Sequence, residues 1–515
     1  MPDADLVLKN ARVITMDSAQ PAAELVAIKG QRIVLVADNA SLESVSGAGT
    51  RVIDCQGKTV IPGFNDAHCH IFSFLRKMLS VDLSPESVSS IGDIKAAIRK
   101  KVEETPAGQW ISGTDYNEFY LAEKRHPTCQ DIDQVAPDHP VVLSHRSLHA
   151  CVLNSRALSL AGITGETEEP PGGRIVRDLT SGEPNGLLFE MLGYIREQVM
   201  PPISEAELAS GFALANQHYL SQGITSLQDA TVVNDFNRWQ KYRRFKDAGI
   251  LKSRVYMMAG YEAFDQFLEA GLGFRDGNDQ LRLGGVKVVP SGSGEQLYPP
   301  QEELNRLVLK AHRAGFQMAI HAVAPGTVEA AITALEFACN QLPRANLRHR
   351  VEHCAECPPP LLERLLRLQA VIATQPPFLY YSGERYLARI PAERLPWLYR
   401  IGSFINSGLV VAGSADSPIV PDNPLVGIYA AVCRQAESGQ ILQPEERIPV
   451  IKALEMYTIN GAYASFDEDS KGSISVGKLA DMVLLSDDPT EIPPEQVKDI
   501  KVEITIVDGE VVWQA

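Results

Sequence analysis

Short apolar runs alternate with stretches of helical periodicity through the middle of the chain, and this alternation restricts the fold more than any other feature. PVVLSH, GITSLQD, SRVYMMA, GGVKVVP, FQMAIHA, HRVEH, AVIAT and LVVAGSAD have the length and the Val and Ile content of strands. EELNRLVLKAHRAG, GTVEAAITALEFACNQL and PLLERLLRLQ have the apolar spacing of helices that bury one face. Such repetition predicts parallel strands joined by crossover helices. A (β/α)8 barrel and an open doubly wound sheet both satisfy it, and the polar residues at the strand ends favour the barrel.

The two ends of the chain have a different texture. DLVLKNARVITMD, ELVAIKGQRIVLVAD and RVIDCQGKTVIPGF at the start, and KGSISVGKLADMVLLSD and KVEITIVDGEVVWQA at the end, are β-branched runs broken by turn residues. Asp508-Gly509 is a hairpin signal. Chain termini often lie close together, so the expectation is a small composite β-sandwich from residues 1–60 and 470–515, with the barrel in 61–469. A barrel uses about 250 residues, and the chain has 515. The surplus predicts a large insertion after the first barrel strand, around 85–210. There WISGTDYNEFY, the turn-rich TGETEEPPGGRIVRD and ISEAELASGFALANQHYL interrupt the regular order. Loops and lids at one end of a barrel build sites, and this insertion is expected to cover that end.

Composition narrows the partners. The net charge is -16 with no block of Lys or Arg, which argues against nucleic acid or an anionic membrane. No apolar run reaches the ~18 residues of a membrane span, and MPDADLVLKN lacks the basic and apolar regions of a secretory signal. Eight cysteines in so long a chain do not form a disulfide framework, so a cytoplasmic protein is expected. Cys354-Ala-Glu-Cys357 has redox or zinc spacing but no second pair. It runs into Pro358 to Pro360 and is read as two ordinary thiols beside a loop.

Polar residues close several of the apolar strands. His68 and His70 end IPGFNDAHCH two residues apart, so in a strand both imidazoles share a face and reach one ion. Eleven histidines give roughly 0.2 such pairs by chance, so the pair alone decides nothing. Lys287 lies in GGVKVVP, His321 closes FQMAIH, His353 closes RHRVEH and Asp416 closes LVVAGSAD. A lone histidine after a strand is commonly a rim residue. A lysine inside an apolar strand is costly unless it loses its proton or finds a partner, and a neutral lysine can add carbon dioxide to become a carbamate ligand. Together these residues fit the downstream, catalytic face of a barrel.

PGFNDAHCH, the lysine strand, AIHA, RVEHC, GSADSP and KGSISVGKLADMVLLSDDP resemble the amidohydrolase superfamily. WISGTDYNE, PVVLSHRSLHACVLNSRALSLAGI, PGGRIVRDLTSGEPNGLLFE and GITSLQDA resemble the branch that includes N-substituted formamide deformylase. The resemblance spans nearly the whole chain. It implies a (β/α)8 barrel with a composite sandwich and a divalent metal, zinc first, with His68, His70, Lys287, His321, His353 and Asp416 as ligands or near equivalents. It leaves open one ion or two, and whether Lys287 is carbamylated. It also implies that Asp416 is the general base and that His149 and Asn154 line the substrate pocket; for a large enzyme of this kind a homodimer is expected. The implied reaction is hydrolysis of a C–N bond, not a peptide bond of proteins, in a small N-acyl or N-formyl amide. Carbamates, cyclic amides and esters stand behind that choice. Two departures touch the substrate more than the metal: Lys287 leads into VPSGSGEQL where the branch has Asp-Gly, and His321 leads into AVAPGTVEA where it has Gly-Asp.

Two other readings compete. His349-Arg-Val-Glu352-His353 spells H-x-x-E-H, an inverted zinc-peptidase motif that requires both histidines on one helix face. A barrel that kept its fold and lost its chemistry would act as a binding protein.

Overall fold

The computed structural model describes residues 3–170, 172–292 and 294–515; Ser293, in the stretch after Lys287, lies outside them. Eight parallel strands form one sheet: β1 (Phe64–Cys69), β2 (Ile224–Asp229), β3 (Arg254–Gly260), β4 (Leu281–Val288), β5 (Met318–Ala322), β6 (Arg350–His353), β7 (Val371–Thr374) and β8 (Val411–Gly413). Each pairs with its sequence neighbour, in unbroken order. The outer strands meet where Asp416 N donates to His68 O at 2.9 Å and His70 N to Ser417 O at 2.8 Å. The sheet therefore closes on itself as a barrel; an open doubly wound sheet would leave both edges apart.

The connecting helices start and stop where local chemistry directs. Helix Phe236–Asp247 opens on Asp235, whose carboxylate accepts from Arg238 N at 2.8 Å. Helix Gln301–Arg313 carries Glu302 and Glu303 in its first turn and Lys310 and Arg313 in its last, matching the helix dipole. Pro358 to Pro360 extend the 354–358 loop less far than expected, because Pro359 begins helix Pro359–Leu368, where a missing N–H costs nothing.

The β-rich ends assemble as two sheets. One has strands Arg32–Ala37, Leu25–Lys29, Leu6–Lys9 and Arg51–Asp54; the other has Glu510–Gln514, Val502–Val507, Met482–Leu485, Thr59–Pro62, Arg12–Ile14 and Ala22–Ala23. Leu6, Leu8, Val26, Ile28, Met482 and Ile504 form a core with Val60. Asp508 (φ 54°) and Gly509 (φ 77°) make the left-handed pair that the tight hairpin turn requires. Arg254, the first residue of β3 and 2% exposed, binds Asp481 through two nitrogens and Asp508 through one.

Residues 72–215 form a compact unit of their own, more regular than a set of lid loops. PVVLSH, one of the runs in the alternating series, falls here as Val141–His145. It is not a barrel strand but part of a six-stranded sheet with Arg174–Arg177, Pro184–Phe189, Ala150–Leu153, Ile111–Tyr116 and Val81–Asp82. Ile94, Ile98, Ile132 and Leu143 are among its fully buried residues. Among the described residues no helix is long and apolar enough to cross a membrane, and all eight cysteines are free.

Candidate metal centre

The barrel strands bring the sequence-singled residues to one level. Register pairs Cys69 with Asp229, Gly260 with Lys287, and His321 with Glu352. His68 is the fifth residue of β1 and His70 follows its end; Lys287 is near the end of β4, His353 ends β6, and Asp416 lies three residues past β8. Ring centres are 5.3 Å apart for His68 and His70, 4.8 Å for His68 and His353, and 4.5 Å for His321 and His353. Cys69, between the first two, turns its Sγ to the Gln228 carbonyl of the neighbouring strand at 3.5 Å. His353 (φ 67°), Cys354 (φ 47°) and Asp416 (φ 60°) hold left-handed backbone without being glycine, a cost of about 1–3 kcal/mol each that concentrates at functional sites.

Hydrogen bonds fix which ring nitrogen is available. His68 Nδ1 lies 2.5 Å from Glu352 Oε2. Arg350 binds both oxygens of that carboxylate, through Nε to Oε1 at 2.7 Å and Nη2 to Oε2 at 2.9 Å. A carboxylate held this way only accepts, so His68 Nδ1 carries the proton and Nε2 a lone pair. Gln375 Nε2 donates to Ser414 Oγ at 3.0 Å, which turns its Oε1 toward His353 Nδ1 at 2.7 Å. His353 is thereby held in the same tautomer. His70 Nδ1 meets Thr231 Oγ1 at 2.9 Å, and Thr231 N is held by Asp229 Oδ1 at 2.9 Å.

Three buried polar atoms in this cluster have no hydrogen-bond partner among the described residues: His68 Nε2, Lys287 Nζ and Asp416 Oδ1. Asp416 Oδ1 sits 3.5 Å from His68 Nε2 and 2.9 Å from His70 Nε2. The first is a lone pair facing a carboxylate oxygen, an arrangement that a cation relieves. His68, His70 and Asp416 offer ligand atoms within 4.8 Å of one another. An imidazole and carboxylate donor set of this kind suits zinc and related divalent ions, so the residues present fit a metal. Burial, and then the nearby Lys287 charge, push His68 well below the usual imidazole range. Burial pushes Lys287 down to about 8.

A second group of ligand-type side chains, His312, Cys339 and His349, is equally close-packed, but its protons are placed differently. Met318 N donates to His349 Nδ1 at 3.0 Å, so the His349 proton is on Nε2, 2.9 Å from His312 Nδ1. His312 Nε2 then donates to Leu342 O at 2.6 Å. All four ring nitrogens are satisfied and none is left for a metal. This also removes the peptidase reading. Residues 350–353 are a strand rather than a helix, which puts His349 and His353 about 13 Å apart along the chain. Glu352 anchors His68 instead of serving as a base.

In the 72–215 unit, Asn154 is fully buried and spends its whole amide on the fold. Its Oδ1 accepts from Val141 N at 2.9 Å and Ala157 N at 3.0 Å, and its Nδ2 donates to Ala136 O at 3.1 Å and His139 O at 2.8 Å. No polar atom of that amide remains for a ligand. His149 is exposed and pairs with Glu190 at 2.9 Å.

Arg350, Gln375, Thr231 and Asp229 went unnoticed as site residues in the sequence, and Glu352 was noticed only as the base of the peptidase motif. Two of them carry the signal that found the others: Asp229 closes GITSLQD, and Gln375 follows AVIAT directly.

Residues 51–513 match the amidohydrolase family. The chain is 29% identical over 534 residues to N-substituted formamide deformylase of Arthrobacter pascens, covering 98% of this chain and 97% of that one. It is 30% identical over 516 residues to the Arabidopsis thaliana protein LONG AFTER FAR-RED 3, covering 94% and 87% respectively. A solved structure of an uncharacterized metal-dependent hydrolase from Pyrococcus furiosus matches with a TM-score of 0.76 at 25% identity, covering 94% of this chain and 100% of that one.

Proposed function

The chain belongs to the amidohydrolase family, and from that premise we propose that it hydrolyses the C–N bond of a small N-acyl or N-formyl amide at a divalent metal, zinc first. His68, His70, Lys287, His321, His353 and Asp416 would hold the ion. The observation that carries this reading is a pair of buried nitrogens without a hydrogen-bond partner, His68 Nε2 and Lys287 Nζ, with Asp416 Oδ1 3.5 Å from the first. A barrel retained only as a binding scaffold gains nothing from keeping such atoms unsatisfied. The relative named for N-substituted formamide deformylation supports the substrate class.

When bound, the ion lowers the pKa of a water toward about 7 and polarises the amide carbonyl. Asp416 accepts the proton of the attacking water and delivers it to the leaving nitrogen, so that a carboxylate and an amine depart. Glu352, Thr231 and Gln375 keep the imidazoles turned with Nε2 inward. Lys287, partly neutral near pH 8, can add carbon dioxide with loss of one proton and so present a carbamate oxygen in place of an ammonium.

Metal quantification of the purified protein, coupled to a screen of N-formyl amines, N-acyl amines, carbamates and esters, tests the reading. The expected result is bound divalent metal and turnover fastest on the N-formyl or N-acyl amines. Metal-replete protein that cleaves none of them, or protein that takes up no zinc, would overturn it. Asp416→Asn should lower kcat by about 10²–10⁴; metal-loaded variant with near-native turnover would remove Asp416 as the base.

A further inference from the structure

Three of the proposed ligands are tethered through Nδ1, and the tethers differ in kind. His70 is held by the hydroxyl of Thr231 and His353 by the amide of Gln375; His68 alone is held by a carboxylate. A carboxylate partner draws the Nδ1 proton toward itself and raises the electron density at Nε2, which makes the imidazole a stronger donor.

That carboxylate is unusually well fixed. Arg350 and Glu352 are both 0% exposed. The guanidinium grips both Glu352 oxygens, donates from Nη2 to Ala67 O at 2.6 Å, and reaches Gln228 Oε1 through Nη1. Ala67 precedes His68, so one side chain holds both the backbone of β1 and the anchor of its ligand. A buried ion pair is a poor way to gain stability, since apolar residues of similar volume are often as good or better. Its position directly behind one ligand points to a use.

We propose that Glu352, gripped by Arg350, is the positioning residue that locks His68 in its Nε2-ligating tautomer and sets how tightly the centre retains its metal. The inference rests on the metal-centre reading. It assigns Thr231 and Gln375 weaker parts, because their tethers are neutral.

Metal-free wild type, Glu352→Gln, Glu352→Asp and the double variant Arg350→Gln with Glu352→Gln are titrated with Zn(II) against a chromophoric chelator. The visible spectrum of the Co(II) forms is a second readout. Glu352→Gln and the double variant should bind metal about 10–100-fold more weakly, with altered Co(II) bands. A role in folding alone would move the melting temperature and leave the affinity and spectrum of the folded protein unchanged. That outcome overturns the proposal. Should the Gln variants fail to fold, Glu352→Asp decides, since it keeps the charge but withdraws it from His68. Wild-type affinity and spectrum in that variant overturn the proposal, and a weaker affinity supports it. Wild-type protein that takes up no metal would overturn the metal-centre reading itself.

Discussion

Replacing Lys287 by methionine should stabilise the metal-free protein while abolishing its activity. The Lys287 side chain is 1% exposed and its Nζ has no hydrogen-bond partner among the described residues. Burial takes its pKa from 10.5 down to about 8. At about 1.4 kcal/mol per pKa unit, that drop means that folding around the charged lysine costs about 3 kcal/mol below pH 8. Because the folded pKa is the lower one, the unfolded chain binds more protons between pH 8 and 10.5, and wild-type stability rises with pH across that window. Methionine has a similar length, carries no charge and fills the same space. Metal-free Lys287→Met should therefore exceed wild type by about 3 kcal/mol at pH 7, and the advantage should close as the pH approaches 10.5. Urea denaturation after EDTA treatment, in buffers free of carbon dioxide, measures both points. A variant less stable than wild type at pH 7, or a gap that does not change with pH, would show that the lysine is not a buried, unpaired cation.

Three further substitutions separate neighbouring readings. His349→Ala should leave zinc content unchanged, whereas His353→Ala should lower it; equal loss from both, read by metal analysis of folded protein, would restore the peptidase arrangement. Asn154→Ala should destabilise the 72–215 unit by about 2–3 kcal/mol, because it removes a helix cap and strands two N–H and two carbonyl groups. Limited proteolysis within 72–215 checks this, and a raised KM with unchanged protease resistance would instead return Asn154 to substrate binding.

The fold was legible in the sequence wherever a strand carries its own hydrophobic signature. GITSLQD, SRVYMMA, GGVKVVP, FQMAIHA, AVIAT and LVVAGSAD each overlap a barrel strand. PVVLSH did not follow, because a buried strand of a second sheet has the same composition as a buried barrel strand. The proposed ligands were legible for a related reason: His68, Lys287, His353 and Asp416 are polar residues at the downstream ends of apolar runs, where solvation alone would not place a lysine. Their anchors were harder to see. Glu352 points at His68 from 284 positions along the chain, and no local pattern encodes that distance. A buried amide that completes four hydrogen bonds, as at Asn154, looks in one dimension like an amide kept for a ligand.

The two histidine clusters of this barrel differ in what separates a structural site from the proposed metal site. Both bring imidazoles within hydrogen-bonding distance of other ligand-type groups, and both are largely buried, so proximity and burial do not distinguish them. The difference is the direction of the protons. At the upstream end, one backbone N–H at Met318 dictates the His349 tautomer, and a line of donors then runs through His312 to the Leu342 carbonyl with nothing left over. Burial, and then His312, hold His349 down to about 3, so His349 stays neutral at any ordinary pH. At the downstream end the tethers are acceptors, Glu352 and Gln375, and they draw the Nδ1 protons outward. The lone pairs of His68 and His353 are then on Nε2, and His68 Nε2 faces Asp416 without a donor between them. The acceptors behind His68 and His353 leave on Nε2 the lone pairs that the proposed cation would take up.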